Sequence, residues 1–309
     1  MRVVVLAYHN MGLAGLNALE RAGYEIALIL SHEDDPEENR WFGSVRQWGE
    51  ERAIPVECPA DIGLPEWRER IAALKPEMIF SFYYRHMIPE GILLIPAKGA
   101  YNLHGSLLPA YRGRCPVNWV LIHGETQTGV TLHHMVRKAD AGDIVGQRIV
   151  PITPEETAFT LYGKLCEAAG VLLDDLLPLM KTGQAPRIPQ DISLGSYFGG
   201  RRPEDGRIDW RWPAVRIYNL IRAVTDPYPG AFCELEDGSR LMIWWGKPEE
   251  GREGEEAKLP GSVDIEEDRV FVHTGRGRIR LWDVQAGGAR MTGGELVRYF
   301  RNREGKPLS

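Results

Sequence analysis

The stretch Val3-Val-Val-Leu-Ala-Tyr-His-Asn-Met-Gly-Leu-Ala-Gly-Leu-Asn-Ala-Leu-Glu-Arg-Ala-Gly-Tyr-Glu-Ile-Ala-Leu-Ile-Leu30 decides the architecture. Val3 to Ala7 is a short apolar run rich in β-branched residues, which suits a buried strand. A glycine-containing turn follows, and Leu13, Leu16 and Leu19 then recur at helical spacing up to Ala22. Gly23 stands where a helix stop belongs, and Tyr24 to Leu30 reads as the next strand. Strand, helix, strand at this spacing is a βαβ unit, which pairs its strands in parallel.

The pattern continues outward. Ile54–Glu57, Met78–Phe82 and Gly99–Leu103 read as strands, with helical segments near Trp41–Arg52 and Pro65–Leu74 between them. Thr128–Met135 and Asp143–Val150 are strand-like runs joined by a loop carrying Asp140, Ala141 and Gly142. A long amphipathic helix follows Thr157, a plausible N-cap, with Leu161, Leu165, Ala168, Leu172, Leu176 and Leu179 on one period. The expected fold is α/β, a Rossmann-like mixed sheet with helices on both faces.

Gly183 to Gly206 is rich in Gly, Pro, Arg and Ser, so the expected organisation is a catalytic domain over 1–190, a linker over 191–206 and a second domain over 207–309. One helix, Ala214–Val224, and strands at Ala231–Leu235, Leu241–Trp245, Val270–Thr274 and Ile279–Trp282 make that second domain small, β-rich and OB-like. Lys247–Lys258, dense in Glu and Gly, reads as a mobile surface loop.

Bulk properties narrow the function. A hydrophobic content of 43% with 26% charged residues fits a globular protein with a sizeable core. The net charge of -6 disfavours nucleic acid as a partner, since no basic excess tracks a phosphate backbone. No apolar run approaches the roughly 20 residues that span a bilayer, so no membrane association is expected. Cys58, Cys115, Cys166 and Cys233 are scattered without C-x-x-C pairing; neither structural zinc nor a disulfide framework is expected, and a reducing cytoplasm is the default. The first turn, Tyr8 to Gly15, lacks the G-x-G-x-x-G fingerprint, so bound NAD is not expected either.

Chemistry concentrates in Ala100-Tyr-Asn-Leu-His-Gly-Ser-Leu-Leu-Pro-Ala-Tyr-Arg-Gly-Arg114. On a strand, residues two apart share a face, so Asn102 and His104 project together at its carboxyl end, where α/β sheets bind ligands. An Asn amide can donate to a developing oxyanion and a His can carry a proton near neutrality. Spacing alone leaves the bland alternative open, with Asn102 capping a turn and His104 a satisfied core histidine. His133 and His134, adjacent on a strand, face opposite ways; one lines the cleft and the other is structural, and a metal pair is not expected. Tyr83, Tyr84 and His9 stand beside strands as either ligand contacts or packing.

Asn102-x-His104 with Ser106-Leu-Leu-Pro109, Tyr111-Arg-Gly113, Thr128-Gly-Val-Thr131 and Asp140-Ala-Gly-Asp143 resembles the signature of the 10-formyltetrahydrofolate-dependent formyltransferases. The motifs Ala7-Tyr-His-Asn-Met-Gly12, Phe80-Ser-Phe-Tyr-Tyr-Arg-His86, Asn118-Trp-Val120 and Pro229-Gly-Ala-Phe232 are most similar to the members acting on UDP-4-amino-4-deoxy-L-arabinose. In Gram-negative bacteria those form the N-terminal half of a bifunctional polymyxin-resistance protein. The chain stops at Ser309, so that protein's NAD-dependent decarboxylase module is not expected in it.

The resemblance implies roles position by position. His104 is the proton donor and acceptor, Asn102 stabilises the tetrahedral intermediate, and Asp140 holds and charges the histidine. The co-substrate, 10-formyltetrahydrofolate, falls to His86, Met87, Ile88, Arg114, Val136, Arg137, Lys138, Ala139 and Asp140. No metal is implied. Without the motifs Asp140 reads as a turn residue and Arg114 as a solvated loop arginine. The implied acceptor is a small-molecule sugar nucleotide, UDP-4-amino-4-deoxy-L-arabinose first, another amino-sugar nucleotide second and methionyl-tRNA third. The tRNA enzymes usually open with a Gly-Thr-Pro-type turn, where this chain has Ala7-Tyr-His9.

Overall fold

The computed structural model describes residues 1–33, 39–250, 258–304 and 307–308. The elements of its first part run β1 (Arg2–Ala7), α1 (His9–Arg21), β2 (Glu25–Leu30), α2 (Val45–Glu50), β3 (Val56–Glu57), α3 (Pro65–Ala73), β4 (Met78–Phe82) and α4 (Glu90–Leu93). They continue with β5 (Ala100–His104), β6 (Arg112–Gly113), α5 (Pro116–Ile122), β7 (Gln127–His134), β8 (Ile144–Pro151), α6 (Ala158–Thr182) and β9 (Tyr197–Phe198). Seven strands form one sheet in the order β3-β2-β1-β4-β5-β7-β8. Pairing is parallel from β3 to β5 and antiparallel from β5 through β7 to β8. This is the expected Rossmann-like mixed sheet.

Strand parity divides the two faces. Val4, Leu6, Leu28, Leu30, Ile79 and Ala100 pack with Ile71 and Ile92 into one apolar layer, against which Ile88 and Met135 also rest. Asn102 and His104 share Ala100's parity and therefore this face. On the other parity, Phe80 stacks on Phe82 and Tyr101. Gly15 of α1 lies against Phe82 there, and a Cβ on it would fall 2.2 Å from that ring. α1 thus approaches the sheet as closely as it does because residue 15 has no side chain.

The helix expected near Trp41–Arg52 is shorter. Ser44 accepts from the Gln47 amide and starts α2 at Val45, and Trp41 and Phe42 before it pack around the first turn. The stretch read as a linker behaves differently along its length. Tyr111 and Arg112 donate their amides to Ser196 Oγ and Ser196 O, and β9 pairs with β6. Residues up to Gly199 therefore belong with the sheet. By contact the chain forms two units, Met1–Pro116 with Thr126–Ile152 and Tyr162–Gly199, and Val117–Glu125 with Thr153–Leu161 and Gly200–Ser309. The division is not a single cut along the chain.

The second unit carries α7 (Ala214–Val224), β10 (Ala231–Glu234), β11 (Arg240–Glu249), β12 (Val263–Glu266), β13 (Arg269–His273), β14 (Arg278–Ala286), β15 (Ala289–Thr292) and α8 (Gly293–Phe300). Its antiparallel sheet runs β10-β11-β14-β13-β12, with β15 on β14. The unit is β-rich as expected. β11 extends through Lys247 to Glu249, where a loop was expected, and residues 251–257 of that expected loop lie outside the described residues. α8 was missed because it opens on two glycines; its Leu296, Val297 and Phe300 are buried nonetheless. Asn118 donates to the Ala223 carbonyl and Arg222 to the carbonyls of Thr153 and Glu156, so α7 is tied down by buried hydrogen bonds.

Candidate active site

β5 delivers Asn102 and His104 to the end of the sheet's parallel part, and the antiparallel neighbour β7 sets His133 opposite Asn102 and Thr131 opposite His104. Directly paired residues point to one face, so all four side chains rise together. His104 and His133 are buried. Thr131 Oγ1 donates to the Ser106 carbonyl and receives the Leu108 amide, which bends the chain after β5 back over the strand.

That bend brings Tyr111-Arg-Gly113 to the site by its backbone. Tyr111 has φ 57, a left-handed conformation that turns its carbonyl toward His104. His104 Nε2 lies 2.8 Å from that oxygen. A carbonyl only accepts, so Nε2 carries a hydrogen and donates it. The ring's other nitrogen, Nδ1, faces Asp140 Oδ1 at 3.6 Å. Nδ1 is thus the atom left to exchange a proton with a ligand, and a carboxylate at that distance stabilises positive charge on the ring.

Asp140 comes from the loop between β7 and β8 and also adopts a left-handed φ, 51°. Its Oδ2 accepts the Gly113 amide at 2.9 Å, and its Oδ1 lies 3.4 Å from His133 Nε2 and from Asn102 Nδ2. Burial by itself would raise this carboxyl. His104 and the Gly113 amide outweigh it and hold the group well below the usual carboxylate range. Asp140 is therefore ionised at any pH near neutrality. Gln190 Nε2 donates to the carbonyls of Asp140 and Gly142 and pins the loop.

Asn102, His104 and Asp140 are brought into one cluster, and His133 joins them. Of the two adjacent histidines, His133 is the one at the site. His134 lies on the opposite face against Tyr101, where burial and Arg187 push it below its ordinary value. Strand parity separated the pair in the sequence, but only the register of β7 on β5 shows which one meets Asn102. The carbonyl of Tyr111 and the amide of Gly113 carry no side-chain signal at all.

Residues 1–176 match the Formyl transferase family, and residues 201–301 match Formyl transferase, C-terminal domain. The chain belongs to the formyl transferase family. Among solved structures, the N-formyltransferase from Helicobacter canadensis, crystallised with folinic acid and dTDP-3-aminofucose, superposes with a TM-score of 0.72 at 18% identity. That match covers 92% of this chain and 98% of the other. WlaRD, a sugar 3N-formyl transferase determined in the presence of dTDP and 5-N-formyl-THF, gives 0.68 at 17% identity over 94% and 98% of the two chains. HypX from Aquifex aeolicus with tetrahydrofolic acid gives 0.63 at 20% identity, over 99% of this chain and 49% of that one.

The remaining predicted residues of this formyl transferase fall on loops. His86, Met87 and Ile88 follow β4; His86 and Met87 are exposed, while Ile88 rests on the apolar layer beneath Asn102's face. Val136, Arg137 and Lys138 are exposed and Ala139 is half-buried, directly after Met135 on that same layer. Arg114 is exposed, its amide bound to the Phe198 carbonyl. At the first turn, His9 stacks on Phe42 at 3.7 Å and meets Trp41, Tyr83 and Tyr162. The Met11 amide donates to Tyr162 Oη, which also hydrogen-bonds His9 Nδ1 at 2.7 Å. Rings fill that turn. Tyr84 stacks on His32. Among the described residues no helix is long and apolar enough to cross a membrane, and no group of three or more His, Cys, Asp and Glu could hold a metal.

Proposed function

We propose that this chain transfers the formyl group of 10-formyltetrahydrofolate to the amino group of an amino-sugar nucleotide, first among them the 4-amino group of UDP-4-amino-4-deoxy-L-arabinose. The observation that carries the chemistry is His104. It is buried with Nε2–H committed to the Tyr111 carbonyl and with Nδ1 facing Asp140. Sugar N-formyltransferases among the similar structures support the acceptor class, and the whole-chain motif set supports the uridine-linked 4-amino sugar.

In this reading the neutral amine adds to the formyl carbon and the carbonyl oxygen becomes an oxyanion. Asn102 N–H and protonated His104 Nδ1 stabilise that charge. The bond from carbon to N10 then breaks; the new amide has lost a proton and N10 has gained one. His104 Nδ1 moves it, and the ionised Asp140 keeps the ring in place and balances its charge. The folate is held by His86, Met87, Ile88, Arg114 and Val136 to Asp140. The two loops rest on one apolar layer, Met87 and Val136 offer exposed apolar side chains for a pterin, and Arg114 offers an exposed cation for an anionic tail.

The test is a comparison of specificity constants for UDP-4-amino-4-deoxy-L-arabinose, other amino-sugar nucleotides and methionyl-tRNA across a salt series. A sugar nucleotide presents two phosphates, so its salt dependence should be shallow, whereas a tRNA releases many counterions on binding. Efficient formylation of methionyl-tRNA with negligible turnover of every sugar nucleotide would overturn the acceptor and leave the transfer chemistry standing.

A further inference from the structure

His133 belongs to the cluster, yet neither nitrogen of its ring is available to a ligand. Nδ1 lies 2.8 Å from the His134 carbonyl. That oxygen only accepts, so Nδ1 carries a hydrogen, and the neutral ring has only a lone pair at Nε2. Nε2 lies 3.1 Å from Asn102 Nδ2. An amide oxygen has nothing to donate to a lone pair, so the hydrogen-bond network itself decides which end of the Asn102 amide faces inward. It is the nitrogen. One of its hydrogens goes to His133. The other reaches Asp140 Oδ1 at 3.4 Å, a long contact that an approaching oxyanion can replace.

The carbonyl that sets this tautomer is itself held in place. A Cβ on Gly142 would lie 2.0 Å from the His134 oxygen, so the Asp140-Ala-Gly142 turn closes on that carbonyl only because residue 142 is glycine. Gln190 fastens the Gly142 carbonyl at 2.7 Å from outside.

We propose that His133 is a positioning residue that locks the Asn102 carboxamide with its nitrogen toward the oxyanion. A His133 ring protonated at Nε2 would instead donate, drawing the Asn102 oxygen inward and setting an acceptor against a negative charge. The proposal rests on Asn102 as the oxyanion donor.

Two measurements test it. In nitrogen-15 NMR of the histidine-labelled wild-type enzyme at neutral pH, His133 should show a protonated Nδ1 and an unprotonated Nε2. A protonated Nε2 overturns the proposal. In a cycle of His133→Ala, Asn102→Ala and the double variant, His133→Ala should lower kcat by about 10-fold or more with folate affinity kept, and should add nothing on the Asn102→Ala background. Losses that add overturn the proposal alone, whereas wild-type turnover in Asn102→Ala overturns the oxyanion assignment with it. If His133→Ala does not fold, His133→Gln supplies an amide oxygen to the same Asn102 hydrogen and should keep kcat within about 3-fold of wild type. A folded His133→Gln that loses as much kcat as Asn102→Ala also overturns it.

Discussion

Acidifying the protein from pH 7 to pH 5 should destabilise it through His9, and the size of the effect follows from where that ring sits. His9 is 4% exposed, starts α1 with a left-handed φ of 66°, and hydrogen-bonds the Tyr162 hydroxyl through Nδ1. Burial first, and Arg85 second, lower it from the ordinary 6.5 to about 3. Between those values the unfolded chain binds a proton that the native ring refuses, so stability is full above 6.5 and falls as pH drops toward 3. At pH 5 the gap below 6.5 is worth about 2 kcal/mol, at 1.36 kcal/mol per pH unit. With a urea m-value of about 2 kcal/mol/M, the midpoint should drop by roughly 1 M between pH 7 and pH 5. His9→Asn tolerates the left-handed backbone and offers Tyr162 an amide but cannot titrate, so its midpoint should drop much less. Asp140 does not contaminate the comparison, because its depressed pKa places its loss of stability below the unfolded carboxylate value, further into acid. Equal losses in wild type and His9→Asn would refute the reasoning.

Three further outcomes are expected. His104→Ala and Asn102→Ala should each reduce kcat by about 10²–10³ while folate binding, followed by fluorescence titration, survives; near-normal turnover in either removes that residue from the chemistry. Asp140→Asn deletes the charge beside His104 Nδ1 while leaving an oxygen for the Gly113 amide, and should lower kcat by roughly 10² or more, with a lower melting temperature because the stabilisation of the ionised carboxylate is lost. Gly15→Ala drives a Cβ to 2.2 Å from the Phe82 ring and should destabilise the sheet unit by about 1–3 kcal/mol in urea titrations, and an unchanged midpoint would show that α1 shifts freely.

Local pattern made the alternation of strand and helix readable, because buried parallel strands must be apolar throughout and α1 must present one apolar stripe to them. It made the shared face of Asn102 and His104 readable too, since side chains alternate on any strand. Elements with weak local signals were not readable. β6 and β9 are two residues each and exist because they pair with one another, and α8 begins with glycines that no helix would choose unless its buried face repaid them. The residues 191–199 looked like a linker by composition and proved to be the clamp on Tyr111 and Arg112, a fact carried by Ser196's two hydrogen bonds.

By itself the sequence determined which side chains are offered to chemistry, through residue type and spacing along single strands. Only the tertiary structure decided what each one does with its hydrogens. The register of β7 on β5 sets His133, and not His134, against Asn102. A left-handed Tyr111 occupies His104 Nε2 and leaves Nδ1 to work. Both are relations between segments distant in the chain, settled by backbone pairing and carbonyl direction, and neither leaves a mark in the local pattern of residues.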